Sequence, residues 1–122
     1  MLLRQFFAEF YHCSAAICDE EELMAAAEAA ATRVGATIVG RYSVAYQPHG
    51  LTVSVFLAES HIILTTWPEL DLLLVDSLLC NPQMNNDDVL DEVRSRLCPT
   101  GKVVTQTFGR WIAADPPGSA GG

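Results

Sequence analysis

The sequence predicts an α+β domain: a two-layer α/β sandwich, with a mainly antiparallel sheet and two helices on one face. Three observations carry this. Six segments are rich in β-branched, aromatic and aliphatic residues. Two others open on acids and carry apolar residues at helical spacing. The resulting order is β-α-β-β-β-β-α-β, whose short β-β links imply antiparallel hairpins.

Residues 5–11 form the first strand, with Phe6, Ala8 and Phe10 on one face. Asp19-Glu20-Glu21-Glu22 opens the first helix, since acids suit the positive end of the helix dipole. Leu23, Ala26, Ala27, Ala30 and Val34 form its buried stripe, Ala-rich enough for close approach, and Gly35 stops it. Residues 37–46 are a second strand, followed by a Gln47-Pro48-His49-Gly50 turn. In the third strand, 51–58, Leu51, Val53, Val55 and Leu57 alternate with Thr52, Ser54, Phe56 and Ala58. Residues 61–66 form a fourth, broken by Trp67-Pro68-Glu69. Residues 72–80 form a fifth, apolar nearly throughout and therefore central. After a loop at 81–86, Asp87 and Asp88 start a second helix that turns Val89, Leu90, Val93 and Leu97 inward. Pro99-Thr100-Gly101 ends it, and residues 102–108 are the last strand. Residues 1–114 make one domain, and 115–122, "DPPGSAGG", read as a disordered tail. Two helices cover only one sheet face, so a homodimer is expected to cover the other.

Half of the 122 residues are apolar, enough for a core at this length. The formal net charge of −8 argues against nucleic acid, which demands clustered Lys and Arg, and suits a cationic or zwitterionic small ligand. The opening "MLLRQFFAEFY" carries Arg4 and Glu9 and reads as a strand rather than an export signal. No segment approaches the roughly 18–20 apolar residues that cross a bilayer. Cys13, Cys18, Cys80 and Cys98 are scattered, as expected of reduced thiols in a cytoplasmic protein. His12, Cys13 and Cys18 lack the paired close spacing of a metal site, so no metal is expected.

The segment "LAESHIILTTWPE", residues 57–69, places an acid, a hydroxyl and an imidazole where a tight turn more often carries Gly or Asn. Together with "RQFFAEFYHC", "GATIVG", "YQPHG" and Cys80, eleven residues after Glu69, it resembles the prokaryotic S-adenosylmethionine decarboxylases. These are small pyruvoyl enzymes of polyamine (spermidine) biosynthesis. The resemblance runs from about residue 4 to residue 110, and "AESH…TWPE" is its specific part.

The resemblance implies a self-cleaving proenzyme. The Ser60 hydroxyl attacks the Glu59 carbonyl to give an ester, and elimination and hydrolysis leave a pyruvoyl group made from Ser60. Residues 1–59 become a β chain, and the α chain starts at residue 60. No ordinary side chain is an electrophilic ketone; a pyruvoyl forms a Schiff base with the substrate amine and accepts the carbanion's electrons. Cys80 then resembles the proton donor, a role open to a thiol whose ordinary pKa is about 8.5. Glu69 resembles the acid that binds the ribose hydroxyls, since a carboxylate accepts from both. Tyr46 takes the place of an aromatic ring that stacks on adenine near the sulfonium cation. Trp67 belongs to the same substrate-contacting segment, and His61 is either a site residue beside the pyruvoyl or a strand-start histidine.

The chain departs from the family pattern at several positions. The pattern "SHxxxHTWPE" has a histidine, which assists processing, where this chain has Thr65. A threonine donates a hydrogen bond but does not shuttle a proton at neutral pH. Ile63 replaces a small polar residue, Gln47 and His49 alter the turn, and "CNPQMNNDD" replaces a Gly-containing loop. His49 or His61 is a candidate substitute for the missing base. Two alternatives therefore stand beside S-adenosylmethionine decarboxylation: pyruvoyl-dependent decarboxylation of another amino acid such as ornithine or arginine, and an unprocessed, inactive homologue acting as a binding or regulatory partner.

Overall fold

A computed structural model describes residues 1–113; the expected domain end at 114 and tail at 115–122 lie outside the described residues. In chain order come β1 (Leu2–Tyr11), a 3-10 turn (Ala15–Cys18), α1 (Glu20–Arg33), β2 (Ile38–Ala45), β3 (Leu51–Leu57) and β4 (Ser60–Trp67). A second 3-10 turn (Pro68–Leu70), β5 (Leu72–Leu79), α2 (Asn86–Leu97) and β6 (Lys102–Trp111) follow. The strands form one six-stranded sheet in the order β2-β3-β4-β5-β1-β6, with every neighbouring pair antiparallel. The apolar β5 is interior, as expected, between β4 and β1. β1 and β6 run longer than their sequence patterns suggest because they pair with each other from Leu2↔Trp111 to Tyr11↔Lys102.

Asp19 caps α1, its carboxylate accepting from the Glu21 and Glu22 amides at 2.9 and 3.2 Å, which satisfies two donors that the helix start leaves free. Leu23, Ala26, Ala27 and Ala30 are fully buried, but Val34 is only half-buried. The helix ends at Arg33, so Val34 is its C-cap, and Ala31 takes the expected place of Val34 in the buried stripe. Gly35 follows at φ +80°, the left-handed turn that terminates many helices. Asn85 caps α2 through the Asp87 amide at 2.9 Å, so that helix starts one residue ahead of the expected acids.

Both helices pack on the same sheet face. There Phe6, Ala8 and Phe10 of β1 meet Val53, Val55 and Leu57 of β3, Ile62 and Leu64 of β4, and Leu73, Val75 and Leu79 of β5. Each fully buried Leu, Ile or Phe is worth about 1.5–3 kcal/mol in transfer free energy. The opposite face has no helix. Phe7 and Phe56 point out from it, 52% and 43% exposed. Among the described residues no helix is long and apolar enough to cross a membrane.

Candidate active site

The β3–β4 hairpin turns on two residues. Leu57 pairs with Ser60, so Ala58-Glu59 is the loop, and the Ala58 amide bonds to the Thr37 carbonyl at 3.3 Å. Glu59 sits at φ +70°, where glycine is comfortable and a side chain is strained. Ser60 follows as the first residue of β4. The β4–β5 register pairs His61 with Leu78, and two steps further along each strand this sets Cys80 opposite Glu59. The Cys80 thiol donates to the Glu59 carbonyl at 3.4 Å. A carbonyl holding such a donor is polarised toward addition, and the nearest chain hydroxyl in sequence belongs to Ser60. Thr37, Ala58, Glu59, Ser60, Cys80 and Met84 line a cleft of about 350 Å³ here, which extends to the end of α1.

His61 is not part of that cleft. Strand alternation sends Ser60, Ile62 and Leu64 toward the helices and His61, Ile63 and Thr65 toward the uncovered face. His61 Nε2 lies 3.5 Å from Asp76 Oδ2, within ion-pair range, yet is buried and not aligned for a hydrogen bond. Asp76 in turn accepts from the Gln5 amide at 2.9 Å. Asp76 was not singled out from sequence, although a lone acid within "LLLVDSLL" was a signal.

A second group assembles at the far end of β4. Tyr46, His49, Thr65, Trp67 and Glu69 surround a cleft of about 390 Å³. The Tyr46 amide bonds to the Gly50 carbonyl at 2.9 Å, and Gly50 takes φ +106° to close the turn. His49 Nε2 and Glu69 Oε2 are 2.6 Å apart. The Tyr46 hydroxyl donates to Thr52 Oγ1 at 3.0 Å, and the Thr52 hydroxyl donates to Thr65 Oγ1 at 3.2 Å. Thr65 and Trp67 also border a cleft of about 440 Å³ on the uncovered face, beside Phe7, Glu9, Leu74 and Asp76. The sequence-predicted residues thus form two groups: Glu59, Ser60 and Cys80 at one end of β4, and Tyr46, Trp67 and Glu69 at the other. Seven strand steps from Ser60 to Trp67 separate them by about 23 Å.

Comparison with known proteins decides the family. The sequence model described as S-adenosylmethionine decarboxylase matches residues 4–110. The chain belongs to the S-adenosylmethionine decarboxylase family. Its relatives include the S-adenosylmethionine decarboxylase proenzyme of Acidithiobacillus ferrooxidans, 32% identical over 107 residues, 87% of this chain and 80% of that protein. The proenzyme of the same name from Prochlorococcus marinus is 33% identical over 98 residues, 80% of this chain and 78% of its own length. The crystal structure of the adenosylmethionine decarboxylase from Aquifex aeolicus superposes with a TM-score of 0.80 at 28% identity, covering 97% of this chain and 98% of that one. The family and the two-layer α+β fold expected from the sequence are therefore both borne out.

Proposed function

We propose that this chain is a proenzyme that cuts itself between Glu59 and Ser60 and then decarboxylates S-adenosylmethionine to the aminopropyl donor for spermidine. The observation that carries this is the Cys80 thiol on the Glu59 carbonyl, in a hairpin whose strained residue immediately precedes a serine. Ser60 Oγ adds to that carbonyl carbon, and the 59–60 C–N bond breaks to leave an ester and a free amine. Elimination breaks the ester C–O bond and releases residues 1–59 as a carboxylate. Water then displaces the nitrogen as ammonia, leaving a pyruvoyl ketone at residue 60. That ketone supplies the electron sink that decarboxylation needs.

In this reading Cys80, already beside residue 60, protonates the product carbon. Glu69, Tyr46 and Trp67 bind the nucleoside, and His61 lies beside Asp76 on the uncovered face. The roughly 23 Å between the two groups is too long for one small substrate to bridge within a chain. A homodimer, packed through the uncovered faces, offers a second copy's nucleoside group to the hairpin end of the first copy's β4, where residue 60 sits at the rim of the sheet. Phe7 and Phe56, exposed on that face, support such packing. The four unpaired thiols support a reducing compartment, the cytoplasm.

Intact mass and a denaturing gel test the cleavage. Two fragments divided at 59/60, the larger beginning with a pyruvoyl group, are expected. A single full-length band after long incubation overturns self-processing and favours the inactive homologue. Release of labelled carbon dioxide from S-adenosylmethionine tests the substrate. Release from ornithine or arginine in its place overturns that assignment but keeps the chemistry.

A further inference from the structure

Cys80 is the first residue beyond β5, and a short loop carries the chain from it to α2. Two turns internal to the loop bond the Gln83 amide to Asn81 Oδ1 at 2.8 Å and the Met84 amide to the Asn81 carbonyl at 3.0 Å. Asn85 ties the loop to α2, and a further polar anchor comes from the other end of the chain. Arg4 stands on β1 paired with Leu79, one residue before the thiol. Its guanidinium donates to the carbonyls of Asn81, Pro82 and Met84 at 3.3, 3.0 and 2.7 Å. The Arg4 backbone carbonyl accepts from Asn86 Nδ2 at 3.4 Å, and Asn86 Oδ1 accepts from the buried Ser77 hydroxyl at 2.7 Å. Arg4 therefore brackets both ends of the loop.

From these contacts we infer that Arg4 is a positioning residue for Cys80. It gathers three carbonyls of the loop and so fixes the direction in which the chain leaves Cys80. That direction holds the thiol on the Glu59 carbonyl, 3.4 Å away across the cleft. All three contacts come from one terminal nitrogen, Nη2, whose two N–H groups are shared among the carbonyls converging on it; a lysine ammonium, on a shorter stem, reproduces this only in part. The inference rests on the self-cleavage reading for its kinetic consequence, but not for its geometry.

The test follows self-cleavage of the full-length chain in a double-mutant cycle. Arg4→Met is expected to slow cleavage about tenfold, and to slow it less than about twofold further when Cys80 is already Ala, since the two then act through one interaction. Arg4→Lys is expected to fall between wild type and Arg4→Met. Equal slowing by Arg4→Met in both backgrounds marks a general structural role and overturns the inference, as does no slowing at all. A chain that does not cleave refutes the proposed function instead, and a second readout then decides this one. In the uncleavable Ser60→Ala chain, Arg4→Met is expected to raise the rate of Cys80 alkylation by iodoacetamide about fivefold, with the buried Cys98 still protected as the mark of a folded molecule. An unchanged Cys80 rate with Cys98 protected, or loss of protection at Cys98 in both Arg4→Met and Arg4→Lys, overturns the positioning role.

Discussion

His49 Nε2 and Glu69 Oε2 lie 2.6 Å apart at the mouth of the cleft that Tyr46 and Trp67 line. One carboxylate oxygen is thereby engaged, and the other remains for a ligand. If Glu69 holds the ribose hydroxyls, Glu69→Gln is expected to raise KM for S-adenosylmethionine by about tenfold with a smaller change in kcat, because uniform binding is what it removes. His49→Ala is expected to change stability by less than about 1 kcal/mol, since both partners are roughly half exposed, 52% and 45%. Steady-state kinetics and urea unfolding check the two.

Cys80→Ala should impair both steps assigned to the thiol. Loss of a donor at an addition centre costs about 10²-fold, so self-cleavage is expected to slow by that order, and decarboxylation of whatever matures to fall similarly. Cleavage time courses and carbon dioxide release measure them separately. Unchanged decarboxylation removes Cys80 from the catalytic group.

The backbone at Glu59 gives a stability prediction independent of chemistry. At φ +70° a glycine relieves about 1 kcal/mol of local strain, so Glu59→Gly in the Ser60→Ala background is expected to raise the melting temperature. Glu59→Val, β-branched, is expected to lower it. Calorimetry on the uncut chain reads both.

Gly101 is tightly enclosed. A Cβ there would meet the Tyr11 carbonyl oxygen at 2.0 Å and Cys98 Sγ at 2.3 Å. Backbone cannot yield as a side chain tip does, so Gly101→Ala is expected to cost about 3 kcal/mol, visible as a lowered urea midpoint.

Cys13 adds a pH dependence. Burial, then the neighbouring Cys98 thiol, raise its pKa well above the ordinary thiol range. Above about pH 9 the unfolded chain loses this proton and the folded chain keeps it, so stability falls as pH rises, by less than about 1.4 kcal/mol per pH unit because the site is half-buried. Below pH 9 the contribution is complete. Cys13→Ser is expected to flatten the alkaline limb of a stability-pH curve.

Much of the fold was legible because its periods were clean. The alternation of Leu51, Val53, Val55 and Leu57 gave β3 its faces, and the acids after Asp19 marked a helix start with a real cap. Val34 was misplaced because periodicity does not say where the last turn ends, and only the Gly35 conformation does. The pairing of β1 with β6 joins residues a hundred apart, which no local pattern announces. For the site, sequence marked the residues but not their separation. Ser60 and Glu69 lie in one short segment, yet a strand keeps that segment straight and holds its ends apart. Neither Arg4 nor Asp76 was given a role from sequence, and only the sheet order reveals what they touch.

The place of β1 in the sheet has a consequence for the cut molecule. Residues 1–59 supply β1, β2 and β3, and β1 lies between β5 and β6 of the other fragment. Neither piece can slide out without breaking ladders on both sides. Once cut, however, unfolding releases two particles where it released one, and refolding becomes a bimolecular event. The mature protein's stability then gains a concentration dependence from the cut itself, added to whatever dimerisation gives both forms. Dilution therefore weighs more heavily on the product than on the proenzyme.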